Sequence, residues 1–126
     1  MNHQYHCTWN PDDWYQVTLN GATFDTAPSL AIRNHSPDGF SWGYAGSGPA
    51  QLALAILLQE TDDKDFAERH YMVFKRAFVM GLRNEQSHAF DSEALRPYIE
   101  AYRQVDIDAQ QASDEIGNTK IDRSGR

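Results

Sequence analysis

The chain has 126 residues, 40% of them hydrophobic and 12% aromatic, enough for one domain with its own core and too few for two. A net charge of -7 and a pI near 5.0 set the domain against a phosphate backbone, so no direct nucleic-acid binding is expected. One cysteine, Cys7, excludes an internal disulfide framework and fits a reducing compartment. The longest apolar run, 52–58, is far short of the roughly 18 residues of a membrane span. No basic segment followed by an apolar run opens the chain, so no signal peptide and a cytoplasmic location are expected.

The N-terminal third reads as β-structure. Residues 14–19 alternate, with Tyr15, Val17 and Leu19 on one face. Asn20-Gly21 follows, a pair that tolerates the positive φ of a tight hairpin turn, and 22–24 is the return strand. Residues 4–8 are expected to add an edge strand. A second hairpin is predicted over 30–44, turning at Ser36-Pro37-Asp38-Gly39, where proline presets φ for a turn's second position. Its return arm carries Phe40, Trp42 and Tyr44 at alternate positions.

The helices come next. Gly46-Ser47-Gly48-Pro49 leads into a helix over 49–60, with Pro49 at its first position and Ser47 or Gly48 as its cap. From Ala50 to Leu58 every residue except Gln51 is apolar, so this helix should be buried on most sides. A second helix is predicted over 64–80, with Phe66, His70, Val73, Phe74 and Ala77 facing inward and Glu68, Met72 and Lys75 outward. A third covers 92–104, with Pro97 either kinking it or marking its first turn. The fold class is therefore α+β: a small antiparallel sheet on a buried central helix, plus two further helices. The domain spans 1–104, and 105–126 reads as a polar, flexible tail with at most a short helical stretch.

The run from Asn34 to Ala55, NHSPDGFSWGYAGSGPAQLALA, is distinctive. It resembles the signature of domain of unknown function 6166, as does the later Tyr71-Met72-Val73-Phe74-Lys75 element. Ala45 stands where that pattern has glycine. The resemblance covers about 5–102 and implies no assigned activity. It does imply a setting on phages, plasmids and integrated elements, and so an accessory protein acting on host or element machinery.

Three clusters are candidates for a site. The Gly46–Pro49 turn places Ser47 at a helix N-terminus, where free N–H groups suit an anion. It has neither the Lys-Ser/Thr ending of a P-loop nor a nucleophile elbow, and the plainer reading is a tight turn into a packed helix. Asn34, His35, Ser36 and Asp38 gather at the predicted hairpin turn. Neighbours in one turn diverge too much for a catalytic triad, so turn chemistry competes with recognition there. Arg33, Trp42 and Tyr44 are expected near one another on the sheet, where an arginine beside aromatic faces binds carboxylates, phosphates or bases.

Glu60, Asp62, Asp63, Asp65 and Glu68 form an acidic run. It suits a helix start, and otherwise offers a docking surface for a basic protein. His3, His6 and Cys7 are too few and too close to a chain end for a zinc site, and no metal or cofactor is expected. His70, between Phe66 and Phe74, reads as a core histidine.

No catalytic constellation emerges. The expected function is a non-catalytic interaction protein of a phage or mobile element. It would bind and modulate a host or element protein, an inhibitor of a bacterial defence system being one form. The alternative is a small ligand- or phosphate-binding or enzymatic domain built on the Gly46–Pro49 turn.

Overall fold

The computed structural model describes residues 2–124, and the side chains of 2–116. The chain divides into two compact units, Met1–Leu95 and Arg96–Arg126. Four antiparallel strands form one sheet: β1 (Gln4–Asn10), β2 (Trp14–Leu19), β3 (Ala22–Thr23) and β4 (His88–Asp91), in the order β3-β2-β1-β4. The class expected from the sequence, α+β, is the class observed.

β1 alternates Tyr5 and Cys7 inward with Gln4, His6 and Thr8 outward, the period of a half-buried strand. It pairs with β2 in the register Tyr5↔Leu19 and Cys7↔Val17, and with β4 in the register Tyr5↔Phe90. β1 is therefore interior to the sheet and not the edge strand expected from 4–8. Asn20 (φ 53) and Gly21 (φ 86) make the predicted tight turn between β2 and β3.

The expected second hairpin does not form. Residues 27–30 are instead a short helix, α1 (Ala27–Leu30), and the chain from 31 to 46 is irregular. The turn at Ser36 to Gly39 is present, Gly39 N–H donating to Ser36 O at 3.4 Å, but its arms are unpaired. Their backbone groups are satisfied otherwise. Ile32 and Arg33 N–H donate to Ser29 O, and His35 and Ser36 N–H donate to a side chain of the central helix. Gly43 holds φ 84, and a Cβ there would lie 2.5 Å from Asn84 N, so the backbone closes onto the 82–84 segment.

The central helix, α2, spans Ser47–Thr61 with Gly46 as its N-cap, two residues ahead of the expected start. Ala50 N–H donates to Gly46 O at 3.2 Å, and Pro49 sits third, where a missing N–H still costs nothing. Leu52, Leu54, Ile56 and Leu57 are fully buried, as a helix apolar all round requires. Asp62 closes α2 in the left-handed region (φ 49), its N–H on Leu58 O at 2.8 Å.

α3 (Lys64–Phe74) starts at Asp63, whose carboxylate accepts the Phe66 N–H at 3.1 Å. Its buried residues are Phe66, Ala67, His70, Tyr71 and Phe74. Val73 and Ala77, expected to face inward, are exposed. The inner stripe is centred nearer Tyr71 than the spacing suggested. A π-helical turn, Lys75–Val79, then advances the phase, Met80 N–H reaching back to Lys75 O. It brings Phe78 flat against Phe74, 5.4 Å between centroids, and edge-on to Phe90 at 4.9 Å.

α4 spans Ser92–Ser124 and so runs well past residue 104, where the sequence reading ended it. Asp91 accepts the Ala94 N–H at 3.1 Å, and Pro97 lies inside the helix. Residues 125 and 126 of the expected tail lie outside the described residues. No helix among the described residues is long and apolar enough to cross a membrane.

Candidate functional site

Gln51 organises the motif. It is the one polar residue of the apolar run and is fully buried. Its Oε1 accepts the N–H groups of His35 (2.8 Å) and Ser36 (3.1 Å), and its Nε2 donates to Ser29 Oγ at 2.9 Å. Ser29 Oγ in turn donates to Thr26 O at 3.0 Å. A buried amide with every such bond made is a clamp between α2, α1 and the 33–36 loop.

The clamp sets where the predicted residues go. His35 Nε2 and Tyr71 OH are 2.6 Å apart, joining the loop to α3. Burial pushes the Tyr71 phenol up, an effect lowered by Arg33 and raised by Glu68. Arg33 donates to Glu68 across a half-exposed ion pair at 2.7 Å. Asn34 and Asp38 are exposed. Trp42 is fully buried, edge-on to Tyr15 at 4.8 Å, and its indole N–H donates to Gln86 O at 3.0 Å. Tyr44 is exposed, its OH 2.7 Å from Ser41 Oγ. Arg33, Trp42 and Tyr44 thus do not share a face, because the hairpin that would align them is absent.

Ser36, Asp38, Tyr44 and Ser47 do come together, at a cleft of about 300 Å³ by the start of α2. Gly48 makes it compact: a Cβ there would overlap Ser41 Oγ. Asp13 and Trp14 complete one wall. Trp14 is 68% exposed at φ 61, and the sequence reading took it only as the first residue of a strand. The cleft lining holds two carboxylates, Asp13 and Asp38, and no lysine, arginine or histidine. That field opposes a phosphate at the helix N-terminus.

A larger groove, about 770 Å³, lies between β3, α1 and the end of α2. Phe24, Pro28, Ile32, Ala55 and Leu58 give it an apolar lining, with Asp25, Asp62 and Lys64 among its polar residues. Sequence reasoning missed it, since its walls come from four separate segments. The only local signal was Pro28 amid small residues, which marks a break after β3.

The acidic run is divided by the fold. Glu60 is nearly buried and accepts from Tyr5 OH at 2.6 Å and His3 Nδ1 at 2.8 Å. Burial, then the bond to Glu60, pushes the Tyr5 phenol well up. Glu68 is taken by Arg33, and Asp63 by the α3 cap. Asp62 and Asp65 stay on the surface. The expected five-residue surface is narrower than its sequence, because two of its members are tied by tertiary bonds. His3, His6 and Cys7 also part: His3 faces Glu60, His6 is exposed, and Cys7 is buried with its thiol pushed up to about 12.

Neither the curated proteins nor the solved structures contain a significant match to the chain. Residues 5–101 match a family of unknown function, DUF6166, and the chain belongs to that family.

Proposed function

We propose that the chain is a non-catalytic interaction protein of a phage or mobile element. In the cytoplasm of a bacterial host it docks on a host or element protein and modulates it, as an inhibitor of a defence complex does. One observation carries this reading. Two side chains suited to acid–base work, His35 and Glu60, are tied to Tyr71, Tyr5 and His3 in bonds that hold the fold. Carboxylates and apolar side chains remain outside, among them Asp62, Asp65, Met72 and Val73. An acidic surface of that kind meets basic proteins.

The test is affinity purification of the tagged chain from a host with active defence, followed by assay of the captured complex with and without the chain. A stoichiometric partner whose activity changes supports the reading. A monomer with no partner under those conditions overturns it.

A small-ligand site is a second reading, and the 770 Å³ groove favours it, since ligand pockets span about 300–1,000 Å³. A thermal-shift screen separates the two. A ligand at about one hundred times its Kd adds about 2.7 kcal/mol of stability. Nucleotides and phosphorylated metabolites belong in the screen for the Gly46–Pro49 turn. The carboxylates of its cleft predict that they give no shift.

A further inference from the structure

The cleft at the start of α2 has the chemistry of a cation site. Asp13, Trp14, Asp38 and Tyr44 line it together, although they come from two separate stretches of chain. Trp14 is 68% exposed and Tyr44 42%, so two large rings stand in water. Both are fixed from below. Tyr44 OH lies 2.7 Å from Ser41 Oγ, and its ring sits so close over Gly46 that a Cβ there would be 2.4 Å away. The turn before Trp14 is bonded shut: Asn10 Oδ1 accepts the N–H groups of Asp12 (3.0 Å) and Asp13 (2.8 Å), and Gln16 Nε2 donates to Asp13 O at 3.0 Å. Trp14 then takes φ 61, a conformation that a bulky side chain rarely adopts and that costs stability.

The charges of the cleft are open. Among the described residues, neither the Asp38 carboxylate nor the Trp14 indole has a partner. Asp13 Oδ2 accepts only a long bond, 3.4 Å, from Asn10 Nδ2, and a carboxylate has room for several more donors. No lysine, arginine or histidine lines the cleft to neutralise the pair. The start of α2 adds about half a positive charge, less than two full negative ones.

We propose that this cleft receives an arginine side chain from a basic segment of a protein partner. The guanidinium stacks on Trp14 or Tyr44, and its N–H groups donate to Asp38 or Asp13. Arginine suits the lining better than lysine, because one planar group meets flat rings and carboxylates at once. The volume, about 300 Å³, is at the small end of ligand pockets and matches a single side chain. The inference rests on the interaction-protein reading and names the group that the partner presents.

The experiment titrates the isotope-labelled full-length chain, at physiological salt, with end-blocked Gly-Ser peptides. One carries a single arginine and the other a single citrulline, its uncharged isostere. Binding is read by NMR from the Trp14 indole and from the Ser47 and Gly48 amides. The arginine peptide should bind at least about tenfold more tightly. Trp14→Ala, read from the amides, and Asp38→Asn should each weaken it by about tenfold. Both positions are exposed, so neither change should unfold the chain. A diffuse attraction to a chain of charge -7 would survive Trp14→Ala.

Equal binding of the two peptides, no binding of either, or indifference to Trp14→Ala overturns the proposal. So does free L-arginine binding more tightly than the peptide, which would make the cleft a metabolite site. If the complex purified from the host survives W14A/D38N intact, the interaction reading stands and this cleft is not its place. If no complex forms with the unaltered chain, the interaction reading fails and the arginine docking fails with it.

Discussion

α2 and the outer part of α4 are helices made from opposite materials. In α2 the chain from Ala50 to Leu57 is buried all round, and its one polar side chain, Gln51, has both amide atoms bonded. In α4 from 104 to 116 the apolar side chains Val105, Ala109, Ala112 and Ile116 fall in one stripe and each is exposed. The same backbone geometry therefore holds an interior together in one case and presents a surface in the other. Width of the apolar face makes the difference. A helix without a polar face is buried within its own domain, whereas one with a narrow apolar stripe keeps most of its surface in water.

The contrast is open to direct attack, beginning with the deepest substitution. Leu54→Ala removes a fully buried side chain and should cost about 2–5 kcal/mol in urea unfolding. A cost under about 1 kcal/mol would mean that α2 is not the centre of the core. Gln51→Ala strips the acceptor from the His35 and Ser36 N–H groups and should cost about 2–3 kcal/mol. Hydrogen exchange sharpens that test, because the two amides should lose protection first.

The buried side of the sheet can be probed by pH. The folded Cys7 thiol holds its proton to about 12, against an ordinary value of 9.0. Above 9.0 the unfolded chain binds fewer protons than the folded one, so stability falls as pH rises and is unaffected by this group below that value. One unit above the ordinary value, the loss should be about 1 kcal/mol. Cys7→Ala should flatten that part of the stability–pH curve. The smallest effect belongs to the exposed helix: V105S/I116S should move the unfolding free energy by no more than about 0.5 kcal/mol. A larger loss would show that the stripe is already in use within the chain.

Periodic elements were legible because their signals are local. Alternation in 14–19, Asn20-Gly21 and the run after Pro49 each specify an element within a few residues. The loop from 31 to 46 was misread because its turn chemistry and alternating aromatics fit a hairpin, while a glutamine side chain sixteen residues on captured the His35 N–H. β4 was missed since His88 to Asp91 is short and becomes a strand only by lining up beside β1. Val73 was misplaced because the buried stripe of α3 runs through Phe66, Ala67, His70, Tyr71 and Phe74, and Ala77 because a π-helical turn breaks the regular spacing after Phe74. Of the candidate site, Ser36, Asp38, Tyr44 and Ser47 were each legible as candidates but in three separate clusters, and the fold alone brings them to one cleft and adds Trp14.

By itself the sequence determined the α+β class, the buried run of α2 and the acidic balance, since composition and short-range period are properties of the chain. Tertiary structure alone decided that β1 is interior, that Gln51 clamps the motif, that Glu60 is drawn in against Tyr5 and His3, and that Glu68 is paired with Arg33. Each of those outcomes depends on which distant atom offers a hydrogen bond or a charge, and chain order does not encode that distance.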